Sequence, residues 1–254
     1  MTNPDNGGLA FAIGSLDVVV QKYASRGLSR TDIWMLSAVV ASDFLQPPNQ
    51  AIQWPFQWVG RKTCDQLTNN DCGMKNGQVM PCSVERGPDR HLPHSDIGMN
   101  TMLDFFSKEF GWNAQQVVAI MGAHTVGSLR RFNVGFDGED GWDLTNMVFD
   151  NGYFIELVGQ TGNPDAIPDF RQVVVRNEGT AFPNRKQFEA NVNGQKVTML
   201  TADLALARQL TENENLMPDG TVMCNFRGFN NRCPEAPATL GHVQQYAQNF
   251  GVFL

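Results

Sequence analysis

Met121-Gly122-Ala123-His124-Thr125-Val126-Gly127 sets an imidazole among small residues at the end of an apolar segment. Upstream, Val117, Val118, Ile120 and Met121 give 114–121 helical character, and Asn113 suits the N-cap, so a short helix should run straight into the histidine. A lone histidine at a helix end is more often a satisfied polar side chain than a metal ligand. Gly122, Ala123 and Gly127 change that balance, because residues with little or no side chain let a flat ligand lie close to the backbone.

On the N-terminal side, Leu9, Ala12, Ile13, Leu16, Val19, Val20 and Tyr23 recur at helical spacing, which predicts an amphipathic helix over 9–23. After a turn at Arg26-Gly27, Ser29 suits the N-cap of a second helix that Pro47-Pro48 ends; 33–44 is apolar on most faces, which predicts a central position. Residues 49–95 are rich in Gly, Pro, Asn and Asp and read as a long ordered loop. Helical spacing returns over 95–110, with Gly111 closing it. Residues 127–150 read as loop and 151–158 as helix. Residues 160–200 read as irregular apart from a hairpin at Val192-Asn193-Gly194-Gln195-Lys196-Val197. Short helices are expected over 203–210 and 240–250. No repeat or linker divides the chain, so 1–254 is expected to form a single, mainly α domain with long irregular loops and a small β-hairpin.

A chain of 254 residues, 42% hydrophobic, can bury a sizeable core. The net charge of −7 and the scattered Lys and Arg exclude a basic stripe for nucleic acid. No apolar run approaches the roughly 18 residues of a membrane span. No targeting segment is evident at the N-terminus, which fits a cytosolic protein or one whose leader has been removed. Cys64, Cys72 and Cys82 share one polar loop and Cys224 and Cys233 another. Loop cysteines favour disulfides, Cys224 with Cys233 and one more in the first group, over free thiols. They also favour an extracytoplasmic compartment, with chloroplast or cytosol as alternatives. Zinc, with His91 and His94, is disfavoured because the cysteine spacings of eight and ten match no compact zinc motif.

Gly122-Ala123-His124-Thr125-Val126-Gly127 resembles the proximal-histidine signature of plant-type haem peroxidases. Val39-Val40-Ala41, Val59-Gly60-Arg61-Lys62, Asp89-Arg90-His91-Leu92-Pro93, Phe149-Asp150-Asn151-Gly152-Tyr153-Phe154 and Leu200-Thr201-Ala202-Asp203-Leu204-Ala205-Leu206 resemble, in the same order, segments of ascorbate and cytochrome c peroxidases. The resemblance implies the proximal part of a haem-peroxidase-like helical domain. It implies haem b as cofactor, His124 as axial ligand, Asp203 behind its other ring nitrogen, and Trp142 against the imidazole. Asp203 on its own also reads as a helix N-cap, and Trp142 as a core aromatic. The reaction implied is one-electron oxidation of a reducing substrate by H2O2. That substrate stays open, since Asn133 stands where ascorbate enzymes carry a basic residue.

The segment from Asp143 to Asp150 resembles the proximal calcium loop of secreted fungal peroxidases. Thr125, Asp143, Thr145, the Val148 carbonyl and Asp150 are the implied Ca²⁺ ligands, a hard oxygen set of the kind that ion prefers. In the family a distal helix with an Arg and a His precedes the segment matching residues 6–44. No counterpart is expected here, and both ends are expected to be incomplete relative to the family. A non-catalytic, peroxidase-like structural or interaction subunit is therefore the alternative reading, with a protein partner covering the open distal face.

Overall fold

The computed structural model describes residues 8–47, 60–61, 74–75, 78–79, 93–159, 168–177, 184–210 and 234–249. The chain groups into two compact units, Met1–Phe44 with Gln53–Leu92, and Leu45–Ile52 with Pro93–Leu254.

The first unit contains α1 (Leu9–Ala24) and α2 (Arg30–Phe44). Ser29 is the N-cap expected of it, its Oγ accepting the Asp32 N–H at 3.0 Å. The central position expected for α2 is not found. Asp32 and Ile33 are its buried residues, while Val40 and Phe44 are 59% and 86% exposed. Apolar residues run all round this helix, so no single face gathers them. Buried Asp32 is the polar anchor of the unit: it accepts the Gly60 and Arg61 N–H groups at 2.7 and 3.2 Å and the Arg61 guanidinium at 3.3 Å. Two short antiparallel strands, β1 (Met74–Lys75) and β2 (Gln78–Val79), lie in the stretch read as loop. Cys64, Cys72, Cys82, Cys224, Cys233 and His91 lie outside the described residues, and with them the expected disulfides and the zinc reading.

The second unit holds α3 (Met99–Phe110), α4 (Ala114–Met121), a 3-10 turn (Gly122–Thr125), α5 (Arg131–Val134) and α6 (Gly152–Val158). These are followed by β3 (Arg171–Val175), β4 (Arg185–Val192), β5 (Gln195–Met199), α7 (Thr201–Leu204) and α8 (Leu240–Gln248). Its core joins Met102 and Phe106 of α3, Val117 and Val118 of α4, Tyr153 and Phe154 of α6, Phe188 and Val197 of the sheet, and Val243 of α8. α4 starts on a full capping box, Asn113 and Gln116 exchanging side-chain and backbone hydrogen bonds at 3.0 Å each. Asn151 Nδ2 donates to the carbonyls of Tyr246 and Ala247 at 3.2 and 2.8 Å, so the start of α6 satisfies the end of α8.

The sheet is antiparallel in the order β3-β4-β5. The expected hairpin is its β4-β5 half, turning on Asn193 and Gly194 with φ of 53° and 88°, as a tight primed turn requires. Its third strand has no clear alternation in sequence: Gln172 is buried while Val174 is 43% exposed. The helix expected over 203–210 is reduced to α7, because Arg208 beyond it pairs with Glu235 and Gln209 N–H donates to the Pro234 carbonyl at 2.8 Å.

Candidate functional site

His124 lies in the 3-10 turn directly after α4, so the capped helix fixes where its backbone stands. Asp203 is the third residue of α7, not its N-cap, which is Leu200. The side chain reaches back to accept the Leu200 N–H on Oδ2 at 2.7 Å, the half of a capping box that a leucine at the cap position allows. Its Oδ1 lies 2.8 Å from His124 Nδ1. A carboxylate only accepts, so the imidazole proton belongs on Nδ1 and the lone pair on Nε2. Among the described residues Nε2 has no hydrogen-bond partner. The histidine side chain is 34% exposed and the aspartate 0%.

Trp142 is 4% exposed and stacks on the imidazole, ring centroids 3.9 Å apart and planes 6° from parallel. The sheet holds the loop that delivers it. Gln187 on β4 accepts the Asp137 N–H at 2.7 Å and donates to the Asp137 carbonyl at 2.6 Å, as a neighbouring strand would. Thr198 N–H on β5 donates to the Gly141 carbonyl at 3.1 Å. Tyr153, on α6, approaches the imidazole edge-on at 5.8 Å and 87° and donates its hydroxyl to Asp203 Oδ1 at 2.8 Å. Burial, then the charge of Asp203 and the hydrogen bond to it, hold the phenol proton far more tightly than usual. His124, Asp203 and Trp142, singled out from three separate segments of sequence, thus stand together in space. Sequence reasoning missed Tyr153 and Gln187: Tyr153 sits in a segment it recognised and Gln187 in a stretch it read as irregular, and each has its partner about fifty residues away, which leaves no local pattern.

A second cluster lies one residue on. Thr125 Oγ1 is 2.7 Å from Asp143 Oδ2 and 3.1 Å from Asp150 Oδ1, and a hydroxyl has one proton to give. Asp143 Oδ1 accepts the Thr145 N–H at 2.8 Å, and Val148 N–H donates to the Thr145 carbonyl at 2.7 Å. Gly152 N–H donates to Asp150 Oδ1 at 2.7 Å. A Cβ on Gly152 would come within 2.7 Å of Asp143 Oδ2 and 2.9 Å of Thr145 Oγ1, so the oxygens pack where a side chain would stand. Burial, helped by the charge of Asp150, pushes the Asp143 carboxyl up to about 6. Glu156 on α6 is pushed up to about 7 by burial and then by Asp143. Gly127 N–H, at φ 95°, donates to the Asn146 carbonyl at 2.8 Å and ties the histidine turn to this loop. Among the described residues no group of three or more His, Cys, Asp or Glu gathers as a metal site, and the cluster has two carboxylates. Among them, too, no helix is long and apolar enough to cross a membrane.

The chain is similar to a protein of Candida albicans named, provisionally, a heme-binding peroxidase, at 28% identity over 66% of this chain and 49% of that one. It is similar to a cytosolic L-ascorbate peroxidase of Oryza sativa subsp. indica, at 34% identity over 62% of this chain and 52% of that one. A mitochondrial cytochrome c peroxidase of Candida glabrata is 28% identical over 62% of this chain and 37% of its own length. The chain spans about half the length of the curated relatives it matches. The peroxidase family model runs through the histidine turn, the indole loop and α7 alike, covering residues 1–214, and on that match the chain belongs to the peroxidase family.

Proposed function

We propose that this chain binds haem b with His124 Nε2 as the iron's axial ligand, and supplies the proximal side of a site for H2O2-dependent one-electron oxidation of a reducing substrate. The observation that carries the proposal is the 2.8 Å bond from His124 Nδ1 to a fully buried carboxylate. It fixes the tautomer, aims the Nε2 lone pair and increases the basicity of the ring. The residues fit the group: a partly exposed imidazole, flanked by small residues, with a ligating nitrogen that no described residue occupies. Haem bound there would supply the iron that reacts with peroxide and stores its oxidising equivalents. Asp203 holds the ring orientation, and Trp142 blocks rotation of the imidazole and stands in van der Waals contact for electron transfer. Family membership and the names of the relatives support the same reading.

Haem titration tests it. The wild-type chain should develop a Soret band with saturable binding. His124→Ala should lose that binding, and Asp203→Ala should weaken it about 10–100-fold. Equal binding by wild type and His124→Ala would remove the proposal.

The Thr125, Asp143, Thr145, Val148 and Asp150 cluster is proposed to hold Ca²⁺. Two carboxylates crowd one hydroxyl, one of them pushed up to about 6, and a divalent cation would relieve that repulsion. Calcium at about 100 times its Kd should stabilise the fold by about 2.7 kcal/mol, and Asp150→Asn should abolish the effect. The named relatives include cytosolic and mitochondrial enzymes and lend no support to an extracytoplasmic compartment.

A further inference from the structure

Asp203 accepts hydrogen bonds from three donors. The Leu200 amide takes Oδ2, while His124 Nδ1 and the Tyr153 hydroxyl converge on Oδ1, each at 2.8 Å. Tyr153 is wholly buried, and its ring packs edge-on to Phe154 with centroids 5.3 Å apart, so the hydroxyl has a fixed aim. Trp142 covers one flat face of the imidazole, and Tyr153 meets it from the side on which the carboxylate lies.

We infer that Tyr153 is a positioning residue that sets the strength of the Asp203–His124 hydrogen bond, and through it the electron donation available at Nε2. The inference rests on the proposed role of His124 as iron ligand. Two donors on one carboxylate oxygen compete for its charge. The Tyr153 hydroxyl draws electron density from Oδ1, so Oδ1 pulls less on the Nδ1 proton and the imidazole keeps more neutral character. Without the hydroxyl, Oδ1 would be more basic, the Nδ1 proton would move toward it, and the ring would gain imidazolate character. A more anionic axial ligand stabilises ferric over ferrous iron.

The direction of the effect separates this role from a merely structural one. A slackened core would loosen the Asp203–His124 bond, whereas removal of a competing donor tightens it. Tyr153→Phe keeps the ring. Its expected signature in the haem-free protein at fixed pH is a downfield shift of the His124 Nδ1–H proton resonance. In the haem-loaded protein the ferric–ferrous equilibrium should move about tenfold toward ferric, about 59 mV for one electron. Site-specific 3-fluorotyrosine at 153 retains the hydroxyl and makes it a stronger donor, so both shifts should reverse in sign. This second variant also covers the case in which Tyr153→Phe folds poorly. An unmoved or upfield resonance in Tyr153→Phe, or the same direction in both variants, overturns the inference. If haem binding proves independent of His124, the ligand reading fails, while the resonance in the haem-free protein still decides whether Tyr153 governs the bond.

Discussion

Asp203 shows how one buried side chain can carry several obligations. Replacing it with alanine would leave the Tyr153 hydroxyl and the Leu200 amide without acceptors, beside an imidazole with nothing to orient it. Each buried, unpaired donor costs about 1–3 kcal/mol, so Asp203→Ala should lower stability by about 2–5 kcal/mol, read from urea unfolding of the haem-free protein. Asp143 and Glu156 act in the opposite sense. Both are carboxyls whose folded-state pKa is raised, to about 6 and about 7, so between pH 4 and 7 the folded chain retains protons that the unfolded chain releases. Stability of the metal-free protein should therefore fall as pH rises from about 5 to about 7.5 and level off above that, each carboxyl contributing a slope of at most about 1.4 kcal/mol per pH step of one. The charge of Asp143 helps to raise Glu156, so Asp143→Asn should flatten the slope by more than its own share. Urea midpoints at pH 5 and 7.5, with EDTA present, would read the slope; a rise over that interval would contradict it.

At the scale of elements, local chemistry was legible where a single segment carries both halves of an interaction. The Asn113 N-cap, the Ser29 N-cap and the Asn193-Gly194 turn are each complete within four residues, and all three form as the sequence implies, Gln116 adding the return half of a capping box at the first. Asn113→Ala should cost about 1 kcal/mol. β3 was not legible, because its burial alternates against its polarity: buried Gln172 and exposed Val174 cancel the pattern that marks a half-buried strand. The site divides in the same way. His124, Asp203 and Trp142 sit in segments whose order and composition resemble a family, whereas Tyr153 and Gln187 act on partners that only the folded chain brings near. Gly152 belongs with the second group. Its lack of a side chain reads as an ordinary helix start until the Asp143 and Thr145 oxygens are seen where a Cβ would be. Gly152→Ala should push those oxygens apart, lowering stability by about 1–3 kcal/mol. If the calcium proposal holds, it should also weaken the response to calcium, whereas an unchanged melt and calcium response would show the loop to be more pliant than its packing implies.

Across the whole molecule, composition marks no linker where the grouping into two compact units divides the chain, after Phe44, after Ile52 and after Leu92. The apolar content of α2 led to an expectation of a central helix, yet Val40 and Phe44 are 59% and 86% exposed; on α1, Phe11 and Val18, which lie off the apolar stripe read from the sequence, are 84% and 70% exposed. Phe11 and Val18 are seven apart and Val40 and Phe44 four apart, so each pair lies along one stripe of its helix. Two such stripes on a protein of net charge −7 set a short-range apolar attraction against a long-range repulsion that salt weakens. The 254-residue chain should therefore bind an apolar dye such as ANS, and its self-association should increase as salt is raised from about 20 to about 300 mM. Phe11→Glu combined with Phe44→Glu should reduce both signals while leaving the helical circular dichroism intact, since both side chains are largely exposed. Light scattering at the two salt concentrations decides the point. Dye binding and association that persist undiminished in the double variant would mean that these stripes are not the attractive surface, and that the dye reports a site elsewhere on the chain.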